Sequence, residues 1–179
     1  VTGGLYITPT RCNAIAFSDP IAQAYDAFVM SGDAGVTSYA DIIASGDTFV
    51  TGAGYNQVAA WADAGGAPDK ILVVPGPAEI VAAVEAGRAV AGGVTVFTAA
   101  EAVAQNDGLT MAPIPGSTYF IGFGFDKANH TLRNAVNTAI HGYLGSDQMM
   151  AEVAEYGYSG ANLPGDVSVG EACLLHAND

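Results

Sequence analysis

Positive charge is what this 179-residue sequence has least of: five Lys and Arg residues stand against eighteen Asp and Glu, a net charge of −13. A field of that sign repels phosphate backbones and argues against nucleic acid as a partner. Charged residues make up only 13% of the chain while seven Phe and eight Tyr are present, so it is not a disordered acidic tail. Long hydrophobic runs are missing as well. Ile71-Leu72-Val73-Val74 is typical of those present and far too short to span a bilayer. No basic segment followed by an apolar one opens the chain, and the expectation is a secretion signal removed or never present. Cysteine is limited to Cys12 and Cys173, whose spacing is not diagnostic. A disulfide formed in an oxidising compartment and two buried thiols both stay open. His130, His141 and His176 fall in no metal-ligand pattern and Cys-x-x-Cys does not occur, so neither a metal nor a cofactor is expected.

What is present is a regular alternation of strand, turn and helix. Thr48-Phe49-Val50-Thr51 reads as a buried strand running into Gly52-Ala53-Gly54 and a helix over residues 56–64. Residues 70–74 form the next strand, followed by Pro75-Gly76-Pro77 and a helix with Ile80, Val81 and Val84 on one face. Residues 93–97 read as a third strand, and Thr98 with Glu101 three positions on reads as a capping box. Three such units imply a parallel sheet flanked by helices, with ligands beyond the carboxyl ends of the strands. Outside this block, residues 4–8, 26–30 and 119–125 read as strands. Leu132, Ala135, Val136, Ala139, Ile140 and Tyr143 mark a helix stopped at Gly145. A further helix over residues 147–156 buries Met149, Met150 and Val153 as core filler. The extended segments near Phe28 and Phe123 bracket the block as if one lobe were inserted into another.

Few residues carry chemistry on their own. Gly52-Ala53-Gly54 has Gln57 where a dinucleotide fingerprint needs its third glycine, although a helix start preceded by glycine still suits a carboxylate. Arg11, the one cation in the first 69 residues, follows a strand and the turn Thr8-Pro9-Thr10. A surface arginine and a two-pronged carboxylate clamp are both open at this point. Asp19, Asp26 and Asp33 read as a solvated face. There is no Gly-x-Ser-x-Gly elbow, and the histidines have no evident nucleophile partner, so an enzyme is not expected.

The segment Gly3-Gly4-Leu5-Tyr6-Ile7-Thr8-Pro9-Thr10-Arg11-Cys12, with Phe17-Ser18-Asp19-Pro20 after it, resembles the family 3 extracellular solute-binding proteins, the receptors of polar amino-acid type ABC importers. Ala64-Gly65-Gly66-Ala67-Pro68-Asp69-Lys70-Ile71, Ala86-Gly87-Arg88-Ala89 and Leu132-Arg133-Asn134-Ala135-Val136-Asn137 look like later stretches of the same family, in the same order. The resemblance implies a periplasmic-binding-protein-like type II α/β fold, with parallel-rich sheets flanked by helices. It implies residues 1–27 as the end of lobe 1, 28–117 as lobe 2, and 118–179 as the return into lobe 1. Most of the first lobe is expected to be missing, leaving a hydrophobic face uncovered.

The same resemblance implies a receptor that captures a small zwitterion between two lobes and hands it to the membrane subunits of an ABC permease. Its place would be the periplasm or the cell exterior. Arg11 would bind the ligand's carboxylate, and Gly54, Tyr55 and Asn56 would close on the same group. Tyr6 would offer an aromatic face to the ligand's cation, and Thr8 would be a further ligand-binding residue. The family's amino-acid binders carry an Asp where this chain has Thr95. With Tyr6 and Cys12, this looks more like the ectoine and hydroxyectoine subgroup, whose delocalised cation suits aromatic faces. A polar amino acid is the alternative ligand. A dehydratase-like enzyme and a sensor domain of a signalling protein are the alternative classes. Cys12 and Cys173 would pair if the C-terminal tail folds back over lobe 1.

Overall fold

The computed structural model describes residues 4–175, so Gly3 of the Arg11 segment and His176 lie outside the described residues. In chain order, β1 (Leu5–Tyr6), α1 (Pro9–Ala14), β2 (Ala16–Phe17) and β3 (Ala22–Ser31) come first. They are followed by α2 (Tyr39–Ser45), β4 (Phe49–Gly52), α3 (Gln57–Asp63), β5 (Ile71–Val74), α4 (Pro77–Glu85), β6 (Ala91–Thr95) and α5 (Val96–Gln105). The last elements are β7 (Leu109–Gly122), β8 (Gly124–Phe125), α6 (His130–Tyr143), α7 (Asp147–Val153) and α8 (Val169–Leu174). The chain divides into two compact units, Val1–Ala24 with Thr118–Asp179, and Tyr25–Ser117.

In the second unit β4 runs parallel to both β5 and β6, as the strand–helix alternation implies. The sheet is nevertheless mixed, because β3 pairs antiparallel with β6 in a register from Met30 opposite Ala91 to Asp26 opposite Thr95. Side chains alternate between two faces. Ala27, Val29, Val50 and Val94 face α4 through Ile80, Ala83 and Val84. Phe28, Met30, Phe49 and Ala91 join Ile42 of α2 and Trp61 of α3 on the other side. Two glycines in β6 let both layers come close. A Cβ on Gly92 would lie 2.5 Å from Cγ2 of Ile80, and one on Gly93 would lie 2.6 Å from Cζ of Phe49. Helix α2 starts at a capping box in which the Ser38 hydroxyl accepts from the Asp41 N–H and the Asp41 carboxylate accepts from the Ser38 N–H.

Two local expectations are corrected here. The third strand ends at Thr95, and α5 begins at Val96 with Thr95 as its N-cap, accepting from the Thr98 N–H. Thr98 therefore lies inside the first turn, where its own hydroxyl contacts that of Thr95 at 3.2 Å. The Thr98–Glu101 spacing reproduces the sequence pattern of a capping box without its backbone geometry. The strand read over residues 119–125 is also incomplete, since β7 runs from Leu109.

In the first unit β1 pairs antiparallel with the end of β7, Leu5 opposite Gly122 and Tyr6 opposite Ile121, and β2 pairs with β8. The core is small: Ile7, Phe17 and Ala172, edged by Leu5, Ile15, Phe120, Val167 and Val169. Thr8-Pro9-Thr10 is not a free turn but the start of α1. Thr8 is the N-cap, and Pro9 occupies the first-turn position where its missing N–H costs nothing. A disulfide joins Cys12 of α1 to Cys173 of α8 across 161 residues of chain. Helix α6 forms where its apolar spacing predicts, but none of its residues is buried within the described chain, and Leu132 remains 50% exposed. The helix read over residues 147–156 ends as α7 at Val153, and of its expected core residues Met149 is buried while Met150 and Val153 are half-buried.

Gly92→Ala should destabilise the protein by about 1–3 kcal/mol, because the new methyl meets the stiff Cγ2 of a fully buried isoleucine. A urea midpoint equal to that of the unmodified protein would show that the α4 layer yields. Replacing Cys12 and Cys173 by serine should cost about 2–5 kcal/mol, chiefly because the unfolded chain regains the freedom of a 161-residue closed loop. Alkylation followed by intact mass should show no label on either cysteine until reductant is added.

Candidate functional site

The first unit brings Tyr6, Thr8 and Arg11 together through one short motif. Strand β1 ends at Tyr6, Thr8 caps α1, and Arg11 lies one turn into that helix. The Thr8 hydroxyl accepts from the Arg11 backbone N–H at 3.4 Å, holding the helix start. The Arg11 side chain folds back so that Nη1 donates to the Tyr6 carbonyl oxygen at 3.1 Å. This uses one of five guanidinium N–H donors and leaves a planar fork for an acceptor. The half-buried Tyr6 ring lies parallel to that of Tyr119, with centroids 4.6 Å apart and planes within 15°. From sequence, Tyr119 is only the start of a strand. Its role as the second ring of this stack depends on β1 pairing with β7, which sequence spacing does not show.

The second unit holds Gly54, Tyr55, Asn56 and Thr95 at the carboxyl ends of β4 and β6. After β4 the chain turns through Gly54 at φ 78°, and the Tyr55 N–H donates to the Gly52 carbonyl. The Tyr55 ring then lies over Gly52, where an added Cβ would be 2.8 Å from the ring, so that glycine seats the tyrosine. Asn56 has helical backbone angles and makes no side-chain cap bond to α3, and its Nδ2 is a buried donor without a hydrogen-bond partner. The next residue, Gln57, is 3% exposed. Thr95 spends its hydroxyl on capping α5.

The carboxylates do not share one environment. Asp19 keeps to the surface, paired with His141 at 3.0 Å, a contact worth little in water. Asp26 is corrected from a solvated residue to one 2% exposed, because β3 places it inside the sheet next to Thr95 of β6. Its backbone N–H donates to Ser117 Oγ at 2.9 Å, and Ser117 is itself buried. Burial, and then the negative charge of Asp26, raise the Tyr55 phenol above its ordinary value of 10.0. Among the described residues no cluster of three or more His, Cys, Asp or Glu side chains suited to a metal ion occurs.

The Tyr55 shift has a consequence at alkaline pH. The unfolded chain releases this proton first, so folding stability should fall as pH rises past 10. Tyr55→Phe should remove from the ultraviolet absorbance titration a phenolate that ionises above the ordinary value. Loss of a phenolate that ionises at the ordinary pH would contradict the burial described.

No protein-family model matches the chain, and no curated protein matches it. Solved structures do. EhuB in complex with hydroxyectoine aligns with a TM-score of 0.77 at 26% identity, over 87% of this chain and 63% of that one. The solute receptor for L-cysteine of Neisseria gonorrhoeae aligns at 0.77 and 22%, over 89% and 67% of the two chains. The substrate-binding protein of an amino acid ABC transporter aligns at 0.67 and 18%, over 86% and 65%. The present chain therefore spans about two thirds of the length of each. With the β3–β6–β4–β5 sheet order and its flanking helices, these likenesses identify the fold as the type II periplasmic-binding-protein-like α/β fold.

Proposed function

We propose that the protein is the substrate-binding component of an ABC importer and captures a small zwitterionic solute. Arg11 is the observation that carries this reading. In a chain with eighteen carboxylates, its guanidinium bonds to a backbone carbonyl and makes no ion pair among the described residues. A guanidinium oriented by its own backbone and left with open donors suits a carboxylate bound in two-pronged fashion. Tyr6, stacked on Tyr119, offers an aromatic face to a delocalised cation, and Thr8 holds the helix that carries Arg11. In the second unit Gly54, Tyr55, Asn56 and Thr95 are the groups proposed to contact the same solute.

Ectoine or hydroxyectoine is placed first as ligand, supported by the aromatic face and by the likeness to EhuB, whose structure holds hydroxyectoine. A polar amino acid fits equally well with the remaining likenesses. The partners in this reading are the membrane subunits of the permease, and the location is periplasmic or extracellular. The Cys12–Cys173 disulfide suits such an oxidising compartment. No helix among the described residues is long and apolar enough to cross a membrane.

Calorimetry against ectoine, hydroxyectoine, L-glutamine, L-arginine, L-histidine and L-cysteine tests the reading. At least one should bind and raise the melting temperature with ligand excess. Arg11→Lys should weaken that binding by about 1–3 kcal/mol, because a point charge does not replace a planar fork. Unchanged affinity would return Arg11 to an ordinary surface role. Mass analysis of the recovered ligand separates receptor from enzyme, since a dehydratase-like protein returns it altered.

A further inference from the structure

The structure makes one buried charge in the second unit the neighbour of a proposed ligand residue. Asp26 and Thr95 are direct partners across the antiparallel β3–β6 ladder. Direct partners point to the same side of a sheet with Cβ atoms about 4.5–5.5 Å apart. That side is fixed by alternation. Phe28, two residues after Asp26, packs in the same cluster as Phe49 and Trp61, and an added Cβ on Gly93, two residues before Thr95, would meet Phe49 and Gln57. Asp26 and Thr95 thus lie on the α3 side of the sheet, at the carboxyl end of β6. Gln57 at the start of α3 lies on that side, and Asn56, whose Nδ2 is buried without a partner, is the residue just before that helix.

We propose that Asp26 is the counter-charge for the cationic group of the solute, with the Thr95 hydroxyl beside it and Asn56 Nδ2 as a further donor to the solute. This rests on the receptor reading and deepens it by naming the ligand class as a zwitterion whose cation has N–H donors. The neutral Thr95 alone is a poor partner for a desolvated cation, and a carboxylate across the ladder removes that objection. The two cations of the second unit, Lys70 and Arg88, precede β5 and β6 at their amino ends, the opposite end of the sheet from Thr95. The fixed side-chain charge at the carboxyl end of β6 is therefore negative. Its reach is visible in Tyr55, whose phenol is disfavoured from ionising by burial first and by Asp26 second. The ten-residue α5, beginning directly after Thr95, favours a negative charge near its N-terminus.

Calorimetry with hydroxyectoine, L-cysteine and L-glutamine on the protein and its Asp26→Asn variant tests the proposal. The variant should bind whichever probe the protein binds at least tenfold more weakly. Unchanged affinity overturns the role of Asp26, and unchanged affinity with a lowered melting temperature shows that Asp26 supports α5 alone. A measurement on the unmodified protein covers a variant that fails to fold. Cyclohexanecarboxylate, 3-mercaptopropionate and glutaramate match the three probes in carrying a carboxylate without the cation, and should bind at least tenfold more weakly than their partners. Equal affinity for a probe and its cation-free match overturns the inference while leaving the receptor reading intact. If the unmodified protein binds none of the zwitterions, the receptor reading fails and takes this inference with it.

Discussion

Strand β6 has a neighbour on each side and no side chain at Gly92 or Gly93, and the second unit is organised around what that permits. Ile80 of α4 approaches one face and Phe49 of β4 the other, at distances that a single methyl on β6 would close. Interiors packed at crystal-like density leave little room to slide, so the ladder has one workable register. That register runs parallel to β4 and antiparallel to β3. It ends with Asp26 opposite Thr95, which makes the chemistry at the carboxyl end of the sheet a result of how the glycine-lined middle packs.

The first unit uses a different device. Its buried core is little more than Ile7, Phe17 and Ala172, and the Cys12–Cys173 disulfide lies at the edge of that cluster, tying α1 to α8. A small core supplies little free energy, and cross-linking the ends of a long loop is a common supplement. The same helix α1 carries Arg11. Its position is thus defined by the Thr8 cap, by Pro9 in the first turn, by the bond to the Tyr6 carbonyl and by the disulfide one residue away. A binding arginine works best when its rotamer is settled before the ligand arrives, since a flexible side chain loses about 0.5–1.5 kcal/mol when it is ordered.

The charge balance gives these details their meaning. With eighteen carboxylates and five cations, most acidic groups are left to the solvent, and the exposed Asp19–His141 pair is of that kind. Asp26 is the exception, a carboxylate 2% exposed whose field reaches Tyr55. Arg11 is the exception of opposite sign, a guanidinium oriented by its own backbone where carboxylates are plentiful. One such group lies in each unit.

Much of this was legible in the sequence because it depends on local pattern. The strand–turn–helix alternation from Phe49 to Gln105 follows from apolar periodicity and glycine or proline punctuation, which act over a few residues. The Tyr6-Ile7-Thr8 segment before Arg11 marked a polar candidate for the same reason. Other features required the tertiary structure. Thr95 and Thr98 both sit near a helix start, and only backbone angles decide that Thr95 is the cap. The apolar stripe of α6 predicts a helix correctly, yet its burial depends on what packs against it, and among the described residues nothing buries it. Asp26 looks like any acidic residue between hydrophobic ones. Its environment comes from a pairing with β6 about seventy residues away, and Tyr119 meets Tyr6 through a pairing more distant still. Local propensity determined which elements form, whereas the register between strands far apart in sequence decided which of their polar groups lie together in a buried place.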